Sequence, residues 1–177
     1  MEAFREISTG YSLLFLTLLT ASHEISIDGR LDDASWKQAV EYTKYYESLP
    51  FTLDEPKDFQ KVLILEDEKG IYLGFVNEQA KDTVRANKHE RDDEMANTDK
   101  AGLAIDFDGD GLAAYSFTVS ASGSISDGIY RNENEVNYDW DADWKSAVFI
   151  DENFWYIEMF IPWTIAPMKS VAVSYTH

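Results

Sequence analysis

Three aspartates stand at alternate positions ahead of a glycine, in a turn between two apolar runs. They are Asp106, Asp108 and Asp110. A calcium loop takes hard oxygen ligands at its first, third and fifth positions and glycine at its sixth, which is Gly111 here. The twelfth position, where an EF-hand has a bidentate Glu, is Phe117, so the sequence excludes an EF-hand. We predict either a Ca²⁺ site that these three carboxylates share with a neighbouring loop or a solvated Asp-Gly turn.

Aromatic and acidic side chains alternate in a second stretch, which holds Tyr138, Trp140, Asp141, Asp143 and Trp144. Saccharides stack their C–H faces on aromatic rings, while carboxylates accept hydrogen bonds from their hydroxyls. The pattern therefore predicts a carbohydrate-binding site. The alternative is that Trp140 and Trp144 pack over one end of the domain, because large aromatic side chains bury much apolar area.

One further carboxylate, Glu158, lies inside the apolar run 155–161. A buried carboxyl there could be a general acid with a raised pKa. The alternative that we favour is that Glu158 points outward or pairs with Arg30 or Lys145. A glycosidase needs two facing carboxylates, and no such pair stands out among the 33 acidic residues. With no phosphate loop or nucleophile motif either, we expect no catalysis by this domain.

The sequence predicts β-strands as the elements that position these side chains. Apolar residues alternate with polar ones in 103–107 and again in 115–119, and the Asp-Gly turn between them predicts a hairpin. Two more hairpins are predicted, from 62–65 with 71–76 and from 147–150 with 154–161. The polar stretch 78–100 reads as a long loop. The fold class predicted is all-β, an antiparallel β-sandwich of the jelly-roll or immunoglobulin-like kind.

Composition limits the partners. The 177 residues include 33 acidic and 15 basic side chains, a formal net charge of −18. Such a charge repels nucleic acid and anionic membrane surfaces, whereas neutral ligands and cations remain possible. The absence of Cys excludes disulfides, thiolate metal sites and cysteine nucleophiles.

The N-terminus predicts export. Residues 11–21 are apolar but fall short of the roughly 20 residues that a membrane span needs. Their length suits the hydrophobic region of a signal peptide, and Thr20-Ala21-Ser22 suits its cleavage site. We therefore predict a signal peptide over 1–22 and a mature domain over 23–177, not inserted in a membrane, in the periplasm, on the cell surface or secreted. The alternative is a buried N-terminal strand or helix.

Four pieces, in order, resemble carbohydrate-binding modules of family 9. Residues 27–36 resemble the opening "I-D-G-x-L-D-E-x-x-W", and 71–75 resemble the "L-Y-V" strand. Residues 103–108 resemble the strand that ends in Asp, and 155–163 resemble "Y-x-x-E-x-x-I-P-W". The run 139–150 is similar to a subgroup found at the N-terminus of large exported proteins of Gram-negative bacteria.

The resemblance implies a β-sandwich, an exported location, binding of a neutral mono- or oligosaccharide and a structural calcium. It also implies a non-catalytic domain, of a family often appended to glycoside hydrolases. Two sugar-clamping tryptophans of the family lack counterparts. The segment 91–100 has no aromatic residue, and the second tryptophan belongs to strands beyond "I-P-W". We therefore expect either a C-terminally truncated sandwich or one that is completed differently. The alternative function is a structural or protein-interaction domain of a cell-surface protein that has lost sugar binding. An unrecognised hydrolase has no motif to support it.

Overall fold

The computed structural model describes residues 24–48, 51–93, 95–131 and 135–166, together with the backbone of 174–176. The predicted signal peptide, 1–22, lies outside these residues. The strands are β1 (Val40–Tyr42), β2 (Gln60–Glu66), β3 (Gly70–Glu78), β4 (Lys100–Asp106), β5 (Ala113–Ser120), β6 (Ile125–Arg131), β7 (Glu135–Asn137), β8 (Lys145–Ile150), β9 (Phe154–Pro162) and β10 (Ser174–Thr176). Three short 3₁₀ turns cover Ala34–Gln38, Lys81–Thr83 and Trp163–Ile165.

The strands form two five-stranded antiparallel sheets. Sheet A has the order β1-β2-β3-β9-β8, and sheet B has the order β10-β4-β5-β6-β7. The three predicted hairpins are confirmed as the pairs β2–β3, β4–β5 and β8–β9. The all-β class and the antiparallel sandwich are therefore confirmed. No helix among the described residues is long and apolar enough to cross a membrane.

The core lies between the sheets because alternate residues of each strand point inward. Sheet A contributes the inward-facing residues of β2, β3 and β9, and sheet B those of β4 and β5. The fully buried members include Ile71, Leu73, Ile157, Met159, Ile105, Phe117 and Val119.

A smaller apolar cluster covers the outer face of sheet A. The N-terminal segment 25–39 lies across β2 and β3 and places Trp36 against Leu63, Leu65 and Tyr72. Trp36 is only 5% exposed, so this segment forms a third layer over β2 and β3 on the outer face of sheet A.

Candidate functional site

A cleft of about 620 Å³ opens between the two sheets. Its walls are β2 and β3 of sheet A and the first half of β4 of sheet B, with Trp155 of β9 at the back. Its size lies within the range of about 300–1,000 Å³ typical of ligand pockets. The apolar half of its lining is made of inward-facing core residues, namely Val62, Ile64, Leu73, Phe75, Ala101 and Leu103.

Three amide side chains line the other half of the cleft. Gln60 and Asn77 are directly opposite each other in the β2–β3 ladder, in register with the apolar pair Val62 and Phe75. Gln79 follows immediately after β3 and also lines the cleft. The amide of Gln60 has no hydrogen-bond partner among the described residues. Asn77 Nδ2 donates to the carbonyl of Trp155 at 3.4 Å, and both amide atoms of Gln79 are bonded within the protein. Gln60 is therefore the amide that offers both donors and an acceptor, the chemistry that recognises adjacent hydroxyl groups.

Gln79 fixes the position of the back wall. Its Oε1 accepts a 3.1 Å hydrogen bond from Nε1 of Trp155, and its Nε2 donates to Asp99 Oδ2 at 2.9 Å. Asp99 also accepts bonds from the backbone N–H and the guanidinium of Arg85. Burial would raise the pKa of Asp99, but these hydrogen bonds outweigh it and lower the pKa, so the carboxylate stays ionised. The polar end of the cleft is therefore preorganised.

Tyr45 supplies an aromatic ring and a phenol at the side of the cleft. The ring meets that of Tyr42 edge-on, with the centroids 5.5 Å apart. Burial first, and the neighbouring Tyr42 second, raise the pKa of Tyr45 to about 12. The phenol is therefore protonated at physiological pH and can donate a hydrogen bond to a ligand.

The structure places one of the five predicted aromatic-site residues, Trp144, in the core and leaves the other four half-buried or exposed. Trp144 is 7% exposed and meets Phe117 edge-on at 5.5 Å between centroids. Its indole N–H has no partner among the described residues, and the contacts that the structure shows for its ring are packing contacts in the core. Trp140 is half-buried against Tyr115, at 4.9 Å between centroids. For both tryptophans the arrangement favours the packing interpretation over stacking on a sugar. Tyr138 is half-buried, and Asp143 is exposed.

Asp141 belongs to a different arrangement, centred on Arg91. The Nε atom of Arg91 lies 2.9 Å from Asp127 Oδ1, 2.8 Å from Asp141 Oδ1 and 3.6 Å from Asp92 Oδ2. Its Nη2 atom also contacts Asp127 and donates to the carbonyl of Ala142 at 3.2 Å. Oxygens of the three carboxylates lie within 4.8 Å of one another, a spacing suited to a metal. Here the guanidinium already neutralises part of their charge.

The three aspartates predicted to bind calcium do not converge in this way. Asp106 is 7% exposed, and its two oxygens accept hydrogen bonds from the backbone N–H groups of Asp108, Gly109 and Gly111, at 3.1, 2.8 and 2.7 Å. Asp110 accepts one from Leu112. Asp106 thus organises the turn, and the described geometry does not fit a shared Ca²⁺ ligand set. Calcium binding itself stays a prediction.

The expectation that Glu158 points outward to solvent or pairs with Arg30 or Lys145 is wrong. Glu158 is 0% exposed, on the outer face of sheet A beneath the N-terminal segment. Its Oε2 accepts from the backbone N–H groups of Asp28 and Gly29, at 2.9 and 2.8 Å, and its Oε1 from Nε1 of Trp36, at 2.9 Å. The residue is a structural anchor, closed off from any ligand.

The cleft amides were missed by the sequence analysis, although a signal was present. Gln60 continues the inward alternation of Val62 and Ile64, and Asn77 continues that of Leu73 and Phe75. A polar residue in the buried phase of a strand lacks an obvious partner, and buried polar groups need one. Two amides at paired strand ends could therefore have been recognised as lining an opening.

Comparisons with known proteins agree with this architecture. No family model and no curated protein matches the sequence. A family 9 carbohydrate-binding module from Caldicellulosiruptor kristjanssonii, in complex with glucose, matches with a TM-score of 0.60 and 11% identity over 85% of this chain and 71% of that one. The complex of such a module from the same organism with cellotriose matches with a TM-score of 0.58 and 10% identity, over 85% of this chain and 69% of that one.

A candidate carbohydrate-binding protein from Bacteroides uniformis matches with a TM-score of 0.55 and 15% identity, over 77% of this chain and 66% of that one, just under two thirds. At such identities the likeness establishes the fold. The chain has the fold of family 9 carbohydrate-binding modules, and the resemblance predicted from its four sequence pieces is confirmed at that level.

Proposed function

We propose that this protein binds a neutral mono- or oligosaccharide in the cleft between its sheets, as a non-catalytic module. The observation that supports this most directly is the row formed by Gln60, Asn77 and Gln79, beside aromatic rings in a cleft of about 620 Å³. Amide groups can bind pairs of sugar hydroxyls, and the half-buried ring of Tyr45 offers apolar surface, whereas Phe75 and Trp155 are buried and shape the wall behind it. Two structures with this fold are complexes with glucose and with cellotriose, which makes a neutral hexose chain the first ligand to test.

Charge supports a neutral ligand. The rim of the cleft carries Asp58, Glu78 and Lys100, all exposed, on a chain with a net charge of −18. A field of this sign disfavours acidic saccharides. Export and attachment to a larger carbohydrate-active or cell-surface protein belong to the same proposal, supported by the apolar stretch 11–21 and the resemblance of 139–150.

The experiment is a tryptophan-fluorescence titration of the full chain with mono- and oligosaccharides. Ala101 is half-buried in the cleft wall, so Ala101→Phe would fill space that a ligand needs. Gln60→Ala would remove one amide, and Gln38→Ala would remove an exposed amide of the first 3₁₀ turn as the matched control. We expect saturable binding by the wild type and the control, and loss with Ala101→Phe.

A second candidate function is an interaction domain without sugar affinity. Two observations favour it: Trp144 lies in the core, and Val40 is 70% exposed although its strand partner Ile64 lines the cleft. An apolar edge of this kind suits a protein partner as well as a ligand. A folded wild-type chain that binds none of the saccharides would favour this second function.

A further inference from the structure

A loop of aromatic residues begins and ends at the cleft. Tyr45 and Asp58, near the two ends of the connection from β1 to β2, both line the cleft wall. Within the described parts, 45–48 and 51–59, the backbone N–H of Glu47 donates to the carbonyl of Asp54 at 2.8 Å, and that of Leu53 donates to Glu47 at 3.0 Å. These two bonds join the described parts of the connection to each other, and Tyr45 and Asp58 near its ends lie at the cleft.

The loop exposes large apolar side chains that a soluble domain would normally bury. Tyr46 is 59% exposed, Phe51 78%, Leu53 56% and Phe59 46%. Phe59 is also tied to the rim, because its N–H donates to Glu78 Oε2 at 2.9 Å and its carbonyl accepts from the Glu78 N–H at 2.8 Å. A single exposed apolar residue needs no explanation, whereas several in one short loop beside a cleft indicate a contact surface.

We infer that this aromatic loop extends the cleft into a longer binding surface, so that the site takes a polymeric neutral saccharide and not only a short one. The inference rests on the proposed function. Its basis is continuity along the chain: Tyr46 follows the cleft-lining Tyr45, and Phe59 lies between the cleft-lining Asp58 and Gln60. Exposed rings of this loop can stack on sugar units outside the cleft, while units inside the cleft use the Gln60 amide.

Two other occupants fit the charges less well. The loop carries Glu47, Asp54, Glu55 and Asp58 among its apolar residues. Insertion into an anionic bilayer would bring these carboxylates against lipid phosphates, which is unfavourable. Self-association through the loop would bring together two chains that each carry a net charge of −18. A neutral polysaccharide carries no charge, so its binding involves neither repulsion from lipid phosphates nor repulsion between two acidic chains.

The test compares short and long ligands on the full chain. Dissociation constants are measured for cello-, malto- and mannotriose and for hydroxyethylcellulose, soluble starch and mannan. The wild type is compared with the double variant Tyr46→Ala/Phe51→Ala and with Leu112→Ala, which shortens a side chain in the turn between β4 and β5 that is also 78% exposed. We expect the double variant to bind its polymer about tenfold more weakly, about 1.4 kcal/mol. Its trisaccharide affinity and unfolding midpoint, and all properties of Leu112→Ala, should be unchanged.

Unchanged polymer affinity, or an equal loss for polymer and trisaccharide, would overturn the inference while leaving the proposed function in place. Vesicle binding or dimerisation that the double variant abolishes, without an effect on polymer affinity, would overturn it in favour of those occupants. Binding of no saccharide by the wild type would overturn the proposed function and this inference together.

Discussion

The indole Nε1 of Trp36 donates a 2.9 Å hydrogen bond to Oε1 of Glu158, across 122 residues of sequence. The other oxygen of Glu158 accepts from the backbone N–H groups of Asp28 and Gly29. Gly29 has φ +88°, and a Cβ there would lie 2.6 Å from the backbone of Val148. One buried carboxylate thus holds the N-terminal segment on sheet A, and the Asp-Gly pair gives the close approach that this needs.

Removal of the Glu158 carboxylate should lower the free energy of unfolding. Glu158→Ala leaves the buried N–H of Gly29, the buried indole N–H of Trp36 and the part-buried N–H of Asp28 without an acceptor. Each unsatisfied buried group costs about 1–3 kcal/mol. We expect a loss of at least about 3 kcal/mol in the free energy of unfolding, measured by urea denaturation. Glu152→Ala, at a side chain 84% exposed, is the control and should change little. A small effect of Glu158→Ala would contradict the anchoring role.

Stability should also depend on pH through Glu158. Burial raises the pKa of its carboxyl above the unfolded value, and the hydrogen bonds from Asp28, Gly29 and Trp36 offset this only in part. The folded state therefore holds the proton more tightly than the unfolded state does. This contribution to stability is present below the unfolded pKa and is lost as the pH rises through the folded pKa. The difference in unfolding free energy between wild type and Glu158→Gln should thus fall from pH 4 to pH 8; a constant difference would contradict the raised pKa.

The variant Trp144→Ala distinguishes the packing interpretation of this residue from the prediction that it belongs to a sugar site. Because its side chain is 7% exposed against Phe117, Trp144→Ala should cost about 3–5 kcal/mol of stability. Under conditions where the variant stays folded, its saccharide affinity should equal that of the wild type. Unchanged stability with lost affinity, measured by calorimetry, would instead support the prediction of a site at 138–144.

Arg91 holds the long loop before β4 against β6. Asp127 is 0% exposed, and loss of the guanidinium would leave its buried charge with no cation and with the Ala142 N–H, at 2.8 Å, as its remaining partner among the described residues. Arg91→Leu should therefore cost about 3–5 kcal/mol. Arg91→Lys should restore only part of this, since an ammonium cannot replace the planar fork that reaches Asp127, Asp141 and Ala142. Arg131→Leu, an exposed arginine on β6, is the control in the same thermal unfolding assay.

The Asp106 turn should depend on hydrogen bonds more than on a metal. Asp106→Asn removes charge from an acceptor of three backbone N–H groups, so we expect a lower unfolding temperature. The decrease should be the same in Ca²⁺ and in chelator. A wild-type unfolding temperature that Ca²⁺ raises, and that Asp106→Asn makes insensitive to Ca²⁺, would support the calcium prediction and contradict this account.

Alternation and turn chemistry predicted the sandwich because both are local properties of the chain. The Asp-Gly turn and the strands on either side of it are an example, since their hairpin follows from neighbouring residues alone. The site depends on which strand ends meet in space. Gln60 begins β2, Gln79 follows β3 and Trp155 belongs to β9, so no local pattern joins them. Glu158 was misjudged for the same reason: its partners lie about 130 residues away along the chain.

The most direct test of the central claim is calorimetric titration of the wild type, Ala101→Phe and Gln38→Ala with cellotriose, maltotriose and mannotriose. The account predicts that at least one trisaccharide binds to the wild type and to Gln38→Ala, and that Ala101→Phe abolishes this binding without unfolding the protein. Saccharide binding that survives in Ala101→Phe would contradict the cleft as the site. No binding by the folded wild type would contradict the proposed function.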